Sequence, residues 1–540
     1  MSRWLWSGCV LLGLQIAVVA QSADPAPSPQ PPAQEKADPA AKPMPKQAPS
    51  PKAVPKQPKQ PAPKTFLLPE SKTQPAPETR NPGLTREVVI SPKALPVPAL
   101  RYQLANRFAD RIPGNATTTY LRVFASEFWP RQYRDPKFVQ KTLEWDTLPL
   151  DKFGTPEIRE YVAAHRNMIK EMDIAARKER FDWELDQRLE QETFTLLLPD
   201  LQQFRELARI NQYRVRLAIH DKRYDEALLG LRTGFSMGRQ VGSGPTLIHG
   251  LVGIAITMVM SQNLDELLAQ PDAPNLYWAL AELPRPLVDP RSAFQGEFRM
   301  VDRYLGDLSL VEGKKLTAAE ANQLLNQEMQ RFTNNLNVIN PASKSEPIMG
   351  DMSAPFAQAA YVAVALASSK QFLLEQGIST DQLKDMPASQ VVMWATMLQA
   401  RQIRDDMFKW VMLPYPQAIL GIQQAEKKLR EMSISTTNIP AVFLRLLLPS
   451  LEKVHFAFSR ADRRIAQQMI VEAIRHHMTT NGGKLPQSLD EIAELPIPND
   501  PVTGKPFRYA LRGDQAILGE LDAKDLAFSG VFVYVIRAKK

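Results

Sequence analysis

Phe204-Arg-Glu-Leu-Ala-Arg-Ile-Asn-Gln-Tyr-Arg-Val-Arg-Leu-Ala-Ile-His-Asp-Lys-Arg-Tyr-Asp-Glu-Ala-Leu-Leu-Gly-Leu-Arg-Thr-Gly-Phe235 decides the fold class. Phe204, Leu207, Ala208, Val215, Ala218 and Ile219 recur at the spacing of one helix face, with Asn211 as the exception. A polar turn follows at His220-Asp-Lys-Arg-Tyr224, and Ala227, Leu228, Leu231 and Phe235 line a second helix. Two amphipathic helices joined by a short turn predict a helical hairpin inside a mainly α body.

Helical signals continue on both sides. Thr155-Pro156-Glu157 suits a helix start: Thr caps, Pro fits the first turn, and Glu favours the positive end of the dipole. Thr317 with Glu320, and Ser379 with Gln382, have capping-box spacing. Residues 391–410 and 421–432 read as helices separated by Pro414 and Pro416, and 459–478 as a long final helix. Gly313, residues 341–347 and Pro440 mark loops. The apolar run 247–260 is short for a membrane span and carries His249, which favours a buried core helix.

The end of the chain differs in kind. Asn481-Gly-Gly483 stops the final helix, and Ser488 is placed to cap a short one. Residues 507–511 and 515–518, around Arg512-Gly-Asp514, predict a hairpin, and 531–536 a third strand. The expected fold is therefore mainly α: a multi-helix body plus a small C-terminal α+β module with a three-stranded antiparallel sheet.

The front of the chain is of another composition. Met1-Ser-Arg3 supplies a positive start, and Trp4 to Ala20 an apolar run with Val18 two positions before Ala20, the parts of a secretory signal. Cleavage after Ala20 and export to the periplasm or outside the cell are expected. The alternative is an inner-membrane anchor formed by residues 4–20, which are at the lower edge of spanning length. Residues 21–98 contain 21 of the 46 prolines, with Ala, Lys and Gln between them. Such a stretch cannot bury enough apolar surface to fold and favours an extended, semi-stiff tether. The expected divisions are 1–20 signal, 21–95 disordered linker, 96–455 helical body and 456–540 C-terminal helix with sheet.

Charge follows the same division. The net charge is +8, yet the first 100 residues hold 12 Lys and Arg against 6 Asp and Glu, and the remaining 440 hold 54 against 52. The body is nearly neutral, which argues against a nucleic-acid partner, and no nucleic-acid module signature occurs. Cys9 is the one cysteine and sits in the leader, so a cleaved chain has no disulfide, thiolate nucleophile or cysteine-ligated zinc.

Three resemblances add to this reading. Asp221-Lys-Arg-Tyr-Asp-Glu-Ala-Leu228, with Leu231 and Gly234, resembles one tetratricopeptide-repeat unit, in which small residues let two helices pack closely. Val215 and Arg239 depart from that pattern, and no second copy follows at the repeat period. Gly483-Lys-Leu-Pro-Gln-Ser-Leu-Asp-Glu-Ile492, followed by Asp500-Pro-Val-Thr-Gly-Lys-Pro-Phe-Arg-Tyr509, resembles the globular end of type II secretion pseudopilins. The pseudopilin assembly helix and acidic calcium loop have no counterpart beside it. More broadly, Pro96-Val-Pro-Ala-Leu-Arg-Tyr102, Ala175-Ala-Arg-Lys-Glu-Arg-Phe-Asp-Trp183, Ala273-Pro-Asn-Leu-Tyr-Trp-Ala-Leu280 and Ile403-Arg-Asp-Asp-Met-Phe-Lys-Trp410 stand together with Pro113-Gly-Asn115 and Leu283-Pro-Arg-Pro-Leu287. Over residues 96–540 the chain resembles a family of uncharacterised, secreted, helix-rich planctomycete proteins with a pseudopilin-like tail. That resemblance implies export and a helical body, and no activity, cofactor or catalytic residue.

The motifs point away from catalysis. Neighbouring helix residues project about 100° apart at about 3.6 residues per turn, so His476 and His477 suit a helix end better than one metal. Asp405 and Asp406 also diverge, and Arg401 precedes Asp405 at ion-pair spacing. Arg177, Glu179, Arg180 and Asp182 beside Trp183 read as a second salt-bridged cluster. No Gly-x-Ser-x-Gly elbow or phosphate-binding loop occurs. The expectation is a non-enzymatic exported scaffold or binding protein with a protein or peptide partner at the cell envelope, and no catalytic, cofactor or metal residue. The alternative is an envelope-polymer hydrolase using helix-borne carboxylates such as Asp405.

Overall fold

The computed structural model describes residues 85–125, 136–185, 188, 199–304, 306–339, 355–431, 451–520 and 532–539. The expected leader, the linker up to residue 84 and the loops at 341–347 and Pro440 lie outside the described residues. The protein is helix-rich, with fifteen α-helices among the described residues and a small sheet built mainly from its C-terminal part.

The decisive stretch forms α5 (Pro199–His220) and α6 (Tyr224–Gly242), numbered after α1 (Ala116–Phe124), α2 (Pro136–Thr147), α3 (Pro156–Ala164) and α4 (Arg166–Ala176). All six apolar positions from Phe204 to Ile219 are buried, and so is Asn211, whose Nδ2 donates to the Gly230 carbonyl at 2.8 Å. The periodic exception is thus a cross-helix bond. Lys222 takes φ +58° in the turn, and the Arg223 N–H closes it on the Ala218 carbonyl at 2.8 Å.

Helix α6 carries Gly230, Gly234, Gly238 and Gly242 at four-residue spacing. This stripe lets α7 (Leu247–Leu268) approach closely. A Cβ on Gly238 would stand 2.9 Å from the Gly253 carbonyl oxygen, and one on Gly253 would stand 2.5 Å from both the Gly238 oxygen and Gly242 Cα. Helix α7 is long and apolar enough to cross a membrane, but 72% of its most apolar window is buried inside the body.

Two satellite cores flank this centre. In one, α1 to α4 pack on α5 around Tyr120, Phe153, Tyr161, Phe204 and Tyr213. Tyr120 meets Phe204 edge-on at 4.8 Å, and Tyr161 meets Tyr213 at 5.7 Å. Beside them β2 (Ile112–Asn115) pairs in parallel with β3 (Lys178–Arg180). Helices α8 (Tyr277–Ala281) and α9 (Arg291–Tyr304) lead to the other satellite, where α10 (Ala318–Ile339), α11 (Pro355–Glu375), α12 (Thr380–Lys384) and α13 (Ala388–Val411) enclose Tyr361, Leu373 and Trp394. The caps at Thr155, Thr317 and Ser379 form as expected. The expected break falls at residues 412–414, and α14 (Tyr415–Glu431) begins earlier than expected, with Pro414 just before it and Pro416 in its first turn, where N–H groups need no intrahelical partner.

The last helix, α15 (Leu451–Thr480), begins earlier than expected and packs on α7, α8 and α14. A boundary at 455/456 would fall inside it, and the main core runs without a break from Leu228 and Phe235 to Ile470 and Tyr534. The sheet also departs from expectation. It has four strands in the order β1-β6-β5-β4, with β4 (Tyr509–Arg512), β5 (Gln515–Leu518) and β6 (Val533–Ala538) antiparallel to their neighbours in turn. The added strand β1 (Thr85–Ile90) runs parallel to β6, Thr85 opposite Val533 and Ile90 opposite Ala538. It lies in the stretch expected to be linker up to residue 95. Val88 and Ile90 are buried while Glu87 and Val89 are exposed, a period-two pattern that the surrounding prolines obscure. At the turn after α15, Ser488 does precede a short helix, of 3₁₀ type, but without a side-chain cap.

Candidate functional site

The acidic pairs are held by cations. Asp405 bonds Arg404 at 2.8 Å, and Asp406 bonds Lys409 at 2.8 Å and Lys428 at 3.5 Å, which holds the Asp406 carboxyl below the usual range. The expected Arg401–Asp405 bridge is replaced. Arg401 and Arg404 both turn to Asp302 on α9, and Arg401 also donates to the Gly306 carbonyl. Packing of α9 on α13 offers a nearer carboxylate than the helix's own next turn.

The expected network at residues 177–182 is corrected more fully. Among the described residues none of Arg177, Glu179, Arg180 and Asp182 is in a salt bridge. Lys178 to Arg180 is strand, and strand pairing sends alternate side chains to opposite faces. Asp182 serves as a backbone clasp: its N–H donates to Asn115 Oδ1 at 3.0 Å, and its carbonyl accepts from Asn115 Nδ2 and Thr117 Oγ1, each at 2.8 Å. His477 is buried near the end of α15, where Asn481 Nδ2 donates to its carbonyl at 2.8 Å. No group of three or more His, Cys, Asp or Glu able to hold a metal occurs among the described residues.

Three arginines of α15 are almost wholly buried. Arg463 donates from Nε to Asp500 at 2.7 Å, from Nη1 to the Phe532 carbonyl at 2.8 Å and from Nη2 to the Gly519 carbonyl at 2.6 Å. Arg464 pairs with Asp265 on α7 and lies over the rings of Phe532 and Tyr534, while Tyr534 Oη and Gln468 Nε2 donate to the same carboxylate at 2.7 and 2.8 Å. Arg475 pairs with Glu472 at 2.9 Å and donates to the Ala273 carbonyl at 3.0 Å. Burial pushes the Glu472 carboxyl up, and the Arg475 charge opposes it. These networks tie α15 to α7, to the segment that follows it and to the sheet.

One open cleft, of about 290 Å³, lies between the segment entering the body, the end of α4 and the middle of α6. Asn106 lines it from the first; Asp173, Ala176 and Arg177 from the second; Leu229, Arg232 and Thr233 from the third. Asp173 is already engaged: Arg214 grips both its oxygens at 2.7 and 3.0 Å, and Thr233 Oγ1 donates at 2.6 Å. Arg232 reaches only the neutral Gln103, at 3.0 Å, and Arg177 has no side-chain bond to a described residue. The carbonyls at the end of α4 are taken by others: Ala175 by Gln240, Ala176 by Asn106 and Arg177 by the Ile112 N–H. Two turns further along the same face of α6, Arg239 has its guanidinium lowered by partial desolvation and then by the charge of Arg111. The cleft is therefore cationic. Sequence reasoning missed it because Arg177 and Arg232 are far apart in the chain and Arg177 sat among acidic residues.

No family model, curated protein or solved structure matches this chain.

Proposed function

We propose that the protein is a non-catalytic scaffold or binding protein exported to the cell envelope. The observation that carries this is the engagement of its carboxylates: Asp405, Asp406, Asp302, Asp173, Asp265 and Asp500 each face an Arg or Lys. General acid–base chemistry needs a carboxyl group free to reach a substrate, and the cleft between α4 and α6 presents guanidiniums instead. Export rests on the leader, and distance from the surface it leaves rests on the proline-rich tether. In this reading α5 and α6 act as a tetratricopeptide-like hairpin, and the three antiparallel C-terminal strands act as a pseudopilin-like module completed by β1. Membership of the secreted planctomycete family is part of the same proposal.

The test is capture. The protein without residues 1–20, immobilised through its C-terminus and incubated with envelope extract, retains a discrete protein or peptide set above a matched bead control. Retention no greater than the control counts against a binding role.

A further inference from the structure

Many arginines of the body have an acidic partner among the described residues, from Arg107 with Glu282 and Arg159 with Asp221 to Arg404 with Asp302. Arg177 and Arg232 stand apart: both line the cleft, and neither meets a carboxylate among the described residues. A guanidinium presents a planar fork of donors that matches an oxyanion, so two of them in one concavity specify an anionic occupant.

Other features narrow the occupant. The volume of about 290 Å³ is at the lower edge for small-molecule pockets, so it suits an end group better than an entire large ligand. Asp173 remains in the lining with its charge offset by Arg214, so it does not engage the Arg177 and Arg232 guanidiniums. Leu229 and Ala176 add an apolar edge for an aliphatic group beside the charge.

Resting on the binding reading above, we propose that this cleft holds a carboxylate-terminated chain end with an aliphatic flank, the carboxyl terminus of a peptide. The carboxylate bridges Arg177 and Arg232, and the terminal side chain lies on Leu229 and Ala176. Asp173, fixed by Arg214 and Thr233, positions the wall of the cleft and makes no bond to the ligand.

The experiment is a calorimetric titration of the protein lacking residues 1–20 with acetyl-alanine, acetyl-alaninamide, glucuronate and inorganic phosphate. Acetyl-alanine is expected to bind at least tenfold more tightly than the amide, which lacks the charge, and more tightly than the sugar acid or phosphate. Arg177→Gln and Arg232→Gln each weaken it at least tenfold, and Arg177→Lys restores part of the loss. Lys427→Gln, at an exposed pair with Glu431 on α14, leaves it unchanged. Should Arg232→Gln unfold, Arg177→Gln and Arg177→Lys at the half-buried end of α4 carry the test alone. Equal affinity for acid and amide, tighter binding of phosphate or glucuronate, or no loss in Arg177→Gln would overturn the proposal. Failure here leaves the envelope-capture result to be read separately, since a partner can dock on another surface.

Discussion

Arg463 and Asp500 meet at 2.7 Å with both side chains almost fully out of water, joining the last long helix to the turn that precedes the sheet. The same guanidinium holds two backbone carbonyls at strand ends, Gly519 just after β5 and Phe532 just before β6. Removing one partner of such a pair strands the other charge, a cost of about 3–5 kcal/mol. Arg463→Ala and Asp500→Ala are each expected to lower unfolding free energy by that amount in denaturant titrations. The double variant is expected to lose less than the sum. Strict additivity would mean that the two do not act together.

A second prediction concerns the crossing of α6 and α7. An Ala in place of Gly inside a helix ordinarily gains up to about 1 kcal/mol. At Gly253 the added methyl would meet the Gly238 oxygen and Gly242 Cα at 2.5 Å, and backbone cannot yield as a side chain does. Overpacking of this kind costs about 1–3 kcal/mol, so the sign reverses. Gly253→Ala is expected to lower the melting temperature, and a rise would contradict the close crossing.

The pH dependence has a defined sign. Asp462 and Glu297 each accept one backbone N–H, from Leu287 at 2.6 Å and Leu247 at 3.0 Å, and burial pushes both carboxyls up to about 7. In the unfolded chain they ionise near about 4. The folded state therefore holds protons that the unfolded state has released. This contribution is complete below about pH 4 and is lost as pH rises through about 7. His249, lowered by burial to about 4, works in the opposite direction, so a variant comparison isolates the effect. Wild-type stability relative to Asp462→Asn should fall between about pH 4 and 7 and level off above that, and a constant difference would exclude the shift.

A fourth prediction follows from β1. Val88→Asp would place a charge in the main core, where Val88 is 3% exposed. It is expected to destabilise the fold by several kcal/mol, whereas Val89→Asp, on the outward face, changes stability by less than about 0.5 kcal/mol. Equal effects would mean that the strand does not pair as described.

Legibility in the sequence followed the range of the interaction. The caps at Thr155, Thr317 and Ser379 were readable because donor and acceptor lie within one turn. The hairpin of α5 and α6 was readable because its apolar residues keep helical period. Strand β1 was not, since six alternating residues end a stretch dominated by proline and their partner strand is at the opposite end of the chain. The burial of Arg463, Arg464 and Arg475 was not legible because charge in a sequence does not declare burial, and only the partners Asp500, Asp265 and Glu472 reveal it. The cleft was hidden for a related reason: it is defined by what Arg177 and Arg232 lack, and the missing anion has no signature in the sequence.

The account stands on the claim that the helix-borne carboxylates are structural. Its most direct measurement is hydrolysis of purified envelope polymers, read as released reducing ends and free amino groups, by the protein lacking residues 1–20 and by its Asp405→Asn/Asp406→Asn variant. Both are expected to match the enzyme-free blank over prolonged incubation. Release above the blank that disappears in the variant would contradict the account and make the acidic pair on α13 a catalytic one.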